Sequence, residues 1–433
     1  MSQYRAYPAY KDSGVEWIGQ VPEHWKIAQI KRISALNPRK STLSEEKDSL
    51  CTFLPMEKLR TNAVTLDETR PIHEVYGGYS YFCDGDILIA KVTPCFENGN
   101  IAVANGLVNG IGFGSTEINV LRVNGKGHNR FLYYRLQEEQ FRTIAKSEMR
   151  GTGGLKRVPT DLFESFTIGL PDTDEQATIA ATLDRETARI DALVEKKTRF
   201  IELMKEKRQA LITHAVTKGL DPNVKMKDSG VEWIGQVPEH WKVARVKRLV
   251  SLRNERRNDV STDTIYIGLE DVEAGSGQYK PTNGSSRQSE DSTVGIFYEG
   301  DVLYGKLRPY LRKAIISEMA GCCSTEFLVL RAEKTEPRWL QEWLLTPDVT
   351  HQIESGCEGA KIPRADWGHI GSIEVVYPDQ PEQAQILTTL DRETARIDAL
   401  ISKVEQSITL LKERRSAFIT AAVTGQIDLR GKQ

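Results

Sequence analysis

Two glycine-rich basic stretches carry the most suggestive chemistry in this chain. The first reads Gly151-Thr152-Gly153-Gly154-Leu155-Lys156-Arg157, and the second reads Gly356-Cys357-Glu358-Gly359-Ala360-Lys361, with Arg364 just beyond. Cations on such loops suit contact with phosphate oxygens. A phosphate-cradling P-loop is excluded, because neither stretch supplies G-x-x-x-x-G-K followed by Ser or Thr. A second set of cations follows two matching turns. Gly85-Asp86-Ile87-Leu88 leads to Lys91 and Pro94, and Gly300-Asp301-Val302-Leu303 leads to Lys306, Arg308, Pro309, Tyr310 and Arg312. On charge and loop context, Lys91, Lys156, Arg157, Lys306, Arg308, Tyr310, Arg312, Lys361 and Arg364 are the candidate nucleic-acid contacts. A further basic run at Arg253, Arg256 and Arg257 reads equally well as a phosphate footprint or as a solvated strand edge.

Catalytic chemistry finds no support. The chain has no methyltransferase N-P-P-Y or D-P-P-Y tetrad, no Walker lysine, no H-E-x-x-H, no G-x-S-x-G and no nuclease-like P-D…E-x-K. No catalytic or metal-binding residues are therefore expected. The six cysteines, Cys51, Cys83, Cys95, Cys322, Cys323 and Cys357, form no C-x-x-C pair, which argues against zinc ribbons and a disulfide scaffold. With 433 residues the chain can bury proper cores without such staples. A net charge of −2 does not exclude nucleic acid, since local clustering of Lys and Arg decides. Neither a signal-peptide core nor a long apolar span is present, so a cytoplasmic location and no membrane partner are expected.

The elements that must position these residues occur twice. Residues 11–26 read KDSGVEWIGQVPEHWK, and residues 227–242 repeat them without change. Identity of that length marks an internal duplication. The Trp17, Pro22 and Trp25 set and its copy Trp233, Pro238 and Trp241 read as an aromatic clasp opening each half, with His24 and His240 as packing residues. Residues 183–193, LDRETARIDAL, return unchanged at 390–400. Each copy opens a long helix with apolar residues at spacings of three and four. One seam includes Leu183, Ile190, Val194, Ile201 and Met204, and the other Leu390, Ile397, Ile401, Ile408 and Leu411. A dry face this narrow wants a partner helix, and two such helices in one chain can partner each other. Lys197, Arg208 and Arg415 fall on the seams, where polar residues weaken packing but can fix register.

Between clasp and helix the halves have diverged, with echoes. Ser115-Thr116-Glu117 matches Ser324-Thr325-Glu326, and Arg130-Phe131-Leu132 matches Arg338-Trp339-Leu340. Turns, strands and a helix in each interior predict an α/β (α+β) fold of two tandem pseudo-repeated halves, the long helices forming an antiparallel coiled coil. The expected boundaries are a globular domain at 1–173, a long helix at 174–218, a second globular domain at 219–380, a second long helix at 381–426 and a tail at 427–433.

This layout resembles the specificity subunit of type I restriction-modification enzymes, over essentially the whole chain. The most specific parts are W-I-G-x-V-P-x-H-W-K at 17–26 and 233–242, and the run from Glu-Gln through Leu-Asp-Arg-Glu to the helix ends. The resemblance implies that the interiors are target recognition domains, each reading one half of a bipartite site on double-stranded DNA. It also implies that the repeated helices are a spacer docking modification (methyltransferase) subunits, expected to be two, with a restriction subunit as a further partner. No cofactor is implied for this chain; S-adenosylmethionine belongs to the methyltransferase. From the residues alone, a duplicated scaffold binding two different proteins through its interiors accounts for the same frame.

Overall fold

The computed structural model describes residues 4–43, 46, 48–152, 154–261, 263–282, 292–357 and 362–431. Compactness divides the chain into two units, Met1–Lys197 with Gln406–Gln433, and Thr198–Glu405. Each unit thus holds one globule and a portion of each long helix.

In the first unit an antiparallel sheet runs in the order Ile101–Val103, Ile87–Ala90, Ile118–Val123, Ser34–Leu36. Ile87–Ala90 is buried along its whole length, as its unbroken apolar run requires. A second sheet is ordered Thr69–Pro71, Leu50–Leu54, Ile111–Gly114, Ser80–Cys83, and its central pair is parallel. The second unit follows the same plan. Its first sheet runs Val250–Arg253, Phe327–Ala332, Val302–Gly305, Ala314–Ile316. Its second runs Arg256–Arg257, Val294–Phe297, Gly321–Cys323, Tyr266–Ile267, the last pair again parallel. Arg256 and Arg257 therefore lie on an exposed edge strand, while Trp339 and Trp343 are core residues.

The repeated clasp is a hairpin, Tyr10–Asp12 with Gln20–Pro22 in one unit and Met226–Asp228 with Gln236–Pro238 in the other. The next strand, Lys26–Gln29 or Lys242–Arg245, pairs with the last strand of the globule, Thr167–Leu170 or Glu374–Tyr377, and so closes it. Trp25 and Trp241 are fully buried behind these ladders. Burying about 200 Å² of indole at roughly 25 cal/mol per Å² contributes on the order of 5 kcal/mol to each globule before entropy is charged.

The long helices span Thr173–Lys218 and Gln380–Val423. Asp172 and Asp379 start them by accepting the backbone N–H of Glu175 at 2.9 Å and of Glu382 at 3.0 Å. Gly219 and Gly425, at φ +77° and +78°, end them. At Gly425 the close approach matters as much as the left-handed backbone, because a Cβ there would stand 2.4 Å from Pro22 and 3.2 Å from Trp25. The first clasp thus rests on the far end of the second helix, and the Tyr10 hydroxyl donates to the Gly425 carbonyl at 3.1 Å. The second clasp rests on Gly219, which lies just before it in sequence.

The helices pack along the expected seams as an antiparallel pair. Leu183, Ile201, Leu390, Ile397 and Ile401 are buried, and Ile190, Val194, Met204, Ile408 and Leu411 are half-buried. The two seam arginines set the register. In the first unit Arg415 lies 2.8 Å from Asp191, and in the second Arg208 lies 3.1 Å from Asp398. Asp191 and Asp398 are the same position of the repeated eleven residues. No helix among the described residues is long and apolar enough to cross a membrane.

Candidate nucleic-acid interface

Most of the candidate cations gather at one place in each unit. Lys91 ends a core strand and donates its backbone N–H to the carbonyl of Glu117 at 3.0 Å; Lys306 does the same to Glu326 at 2.9 Å. The basic stretch then returns beside it. Val158 N–H meets the Lys91 carbonyl at 2.8 Å and Thr93 N–H the Lys156 carbonyl at 2.9 Å. In the second unit Ala365 N–H meets Lys306 at 2.8 Å and Arg308 N–H meets Pro363 at 2.9 Å. Val92 bridges Arg157, and Leu307 bridges Arg364.

This backbone pairing aims an arginine at a glutamate in both units. Arg157 donates through Nε and Nη2 to the Glu117 carboxylate at 2.9 and 2.7 Å. Arg364 donates through Nη2 to Glu326 at 2.9 Å. The Arg157 hydrogen bond, ahead of the opposing effect of burial, holds the Glu117 carboxyl below its ordinary range. Both arginines remain about half exposed, so each is oriented by its glutamate and still open to solvent.

The remaining candidates divide. Lys156, Arg308 and Tyr310 are exposed, while Lys91 and Lys306 are half-buried. Arg312 turns inward, its Nη1 donating to the Leu345 carbonyl at 3.3 Å. Lys361 lies outside the described residues. Arg253 is occupied as well: it grips buried Asp301 through Nε at 2.8 Å and Nη2 at 3.2 Å. The equivalent Asp86 takes its arginine, Arg122, from a different strand, at 2.8 and 2.6 Å. One buried carboxylate is thus neutralised from two directions, and the surface around it differs between the units. Sequence inspection matched Glu117 with Glu326 but gave neither a role. Each lies about forty residues from its arginine, and only the strand pairing brings them together.

The frame holding these interiors is the repeated sequence itself. Glu175, buried at 4% exposure, accepts from the Tyr7 hydroxyl at 2.7 Å and from Trp25 Nε1 at 3.2 Å, and meets His24 Nε2 at 2.7 Å. Glu382 meets His240 at 2.7 Å and accepts from Trp241 at 3.1 Å. Gln176 and Gln383 tie in the start of the interior helix: they accept the N–H of His128 and of Glu336, both at 2.9 Å. Asp184 of the repeated eleven residues receives Arg130 Nε at 2.9 Å and the Tyr134 hydroxyl at 2.6 Å.

The sequence pattern of the type I restriction modification DNA specificity domain matches residues 22–203. Among curated relatives, the Escherichia coli type I restriction enzyme EcoEI specificity subunit is 32% identical over 167 residues, covering 38% of this chain and 28% of that protein. The EcoAI specificity subunit of the same organism is 36% identical over 163 residues, 37% of this chain and 27% of that protein. The matched stretch thus spans under a third of either relative. A likeness of fold extends further along the chain. A chain solved in a study of complex assembly and conformational transition of the type I R-M system superposes with TM-score 0.73 at 16% identity, over 94% of this chain and 99% of that one. The HsdS subunit from Thermoanaerobacter tengcongensis gives TM-score 0.56 at 16% identity, over 94% of this chain and 98% of that one. At such identity the likeness is one of fold, and it takes in both units and both long helices.

Proposed function

We propose that this chain is the non-catalytic sequence-reading subunit of a type I restriction-modification assembly, with each interior contacting one half of a bipartite site on double-stranded DNA. One observation carries the reading. Two interiors of diverged sequence, set in a repeated frame, bring Lys91 and Arg157 in one unit, and Lys306 and Arg364 in the other, to equivalent places, with Lys156 beside the first pair and Arg308 beside the second. A common frame serves a common partner, and diverged interiors serve two different half-sites. Tyr310, Arg312 and Lys361 belong to the same proposed contact set. The recognition domains would be 1–173 and 219–380, joined through spacer helices at 174–218 and 381–426.

The frame also offers a docking face. Within the repeated eleven residues, Leu183, Asp184, Thr187 and Asp191 are used internally. Arg185, Ala188, Arg189, Ala192 and Leu193 are exposed, as are Arg392, Ala395, Arg396, Ala399 and Leu400. Their spacing places them on one side of each helix. Identity at exposed positions suits one kind of partner docking twice: methyltransferase subunits, two per chain, which would carry S-adenosylmethionine in a cytoplasmic complex. A restriction subunit would join through them. The test is a salt series on binding to a DNA site selected from a randomised library, using the chain with its co-purified subunits. Affinity should fall linearly on logarithmic axes with one unit of slope per phosphate engaged. Salt-independent binding, or no selected site, would leave the reading without support.

A further inference from the structure

The recurrent structure in the two interiors includes a feature that nothing inside the fold calls for. Two residues before each oriented arginine stands a large apolar side chain in solvent, Leu155 at 56% exposure and Ile362 at 52%. The two tips therefore match in backbone pairing, in the arginine, in the glutamate that orients it and in the exposed apolar residue. The loops that follow the core strands do not match. In the second unit Arg308 and Arg312, at φ 53° and 48°, bracket a turn that holds Tyr310 outward at 49% exposure. Non-glycine residues adopt this left-handed backbone rarely, and here both ends are pinned, Arg308 N–H to Pro363 and Arg312 carbonyl to Gly275 N–H at 3.0 Å. In the first unit the same place carries Pro94-Cys95-Phe96-Glu97, with Phe96 buried and the acid exposed.

Resting on the DNA reading above, we propose a division of labour between these two features. The recurrent tip, Leu155 with Arg157 and Ile362 with Arg364, is the sequence-independent grip shared by both half-sites. The loop at 308–312 is a base reader present in the second unit alone, acting through Arg308 and Tyr310. What two different half-sites have in common is the sugar-phosphate backbone, so what two diverged domains have in common should contact it; base edges differ, and so should their readers. Glu117 and Glu326 are positioning residues. Arg157 spends Nε and Nη2 on Glu117, which fixes the guanidinium plane and leaves Nη1 for a phosphate. The apolar tip adds contact without charge.

The experiment uses the full chain with its co-purified subunits, on DNA selected by the wild type and on single-base variants of it, over a salt series. Arg157→Ala and Arg364→Ala should weaken binding to every sequence by the same factor and flatten the salt slope by about one unit each. Leu155→Ala with Ile362→Ala should weaken all sequences with the slope unchanged. Arg308→Ala and Tyr310→Ala should instead cut discrimination at one base position of one half-site, by roughly 5- to 150-fold. Glu117→Gln separates positioning from simple charge: removal of a carboxylate should tighten DNA binding if only charge matters, and should weaken it several-fold if the carboxylate holds the arginine. Arg157→Lys, which keeps the charge, should retain the slope and guards against misfolding of the Ala variant. If the wild type selects no site, the DNA reading itself fails. If it selects one, and the arginine variants leave both affinity and slope unchanged, or the Arg308 and Tyr310 variants keep full discrimination, or Glu117→Gln tightens binding, the division of labour is wrong.

Discussion

Two carboxylates of the same sequence position do different amounts of stabilising. Glu175 is surrounded by Tyr7, His24 and Trp25 at 4% exposure, whereas Glu382 has His240 and Trp241 and a side chain 29% exposed. Replacing Glu175 with Ala strands a buried indole N–H and a buried hydroxyl, at a cost of about 3 kcal/mol; Glu382→Ala lets water in and should cost about 1 kcal/mol. Chemical denaturation followed by tryptophan fluorescence measures both, and equal losses would contradict the account. Glu117 supplies a pH effect. Its carboxyl titrates below the ordinary 4.5 because Arg157 hydrogen-bonds its charged form, with burial opposing. Its folded pKa is therefore depressed, so its contribution is complete above about pH 4.5 and is lost as pH falls through the lowered folded value. Glu117→Gln should make the acid side of the stability profile shallower, and leave the neutral side flat.

At the scale of the element, the helix pair is specified by a seam that is mostly apolar and by two arginines that are not. Arg415 with Asp191 and Arg208 with Asp398 each join opposite helices, and residue numbers rise along one helix as they fall along the other. Either Asp191→Arg or Arg415→Asp alone should destabilise by about 1 kcal/mol, since the pair is partly exposed, and the double exchange should recover most of the loss. Thermal melts of the four proteins test this; a double exchange no better than the singles would mean that the pair does not couple the helices. A heptad inserted after Glu202 and another after Lys403 should keep the seam in phase. Seven residues add about 10 Å of helix. The preferred gap between half-sites should then grow by up to about three base pairs, at 3.4 Å each. Library selection reads that gap directly, and an unchanged gap in a folded variant would assign the helices to docking alone.

For the whole molecule, the exposed stripe and the interiors should separate genetically. Leu193→Glu with Leu400→Glu places charge on the proposed docking face, where both leucines are more than 40% exposed. The pair should leave the melting temperature unchanged within error while reducing co-purification of the methyltransferase at least tenfold. Normal assembly would move the docking face elsewhere. Exchange of the interior at 39–171 for that of a relative should alter one half-site and spare the other, because the clasp, the ladder strand Lys26–Gln29 and the Glu175 and Gln176 side chains stay in the retained frame, and the incoming interior needs to supply only a closing strand in place of Thr167–Leu170 and a backbone N–H in place of that of His128. A change in both half-sites would argue that the interiors are not independent.

The sequence by itself determined the duplication, the clasp, the paired helices and the class of fold, because each rests on short-range signals: identity of sixteen and of eleven residues, heptad spacing, and matching turns and strands in the interiors. It also located the cationic stretches. Only the tertiary structure decided what those cations do. Arg253 reads in sequence as part of a phosphate footprint, yet it neutralises Asp301 across 48 residues. Arg157 and Arg364 read as bare loop cations, yet glutamates 40 and 38 residues away orient them. Glu175 reads as a helix-terminal acid, and its carboxylate instead gathers three side chains from a segment about 150 residues earlier. The physical reason is common to all three. Local propensity and hydrophobic period act within a few turns or a strand, whereas the partner of a charge is chosen by which strands lie side by side, and that choice is made by the sheet as a whole.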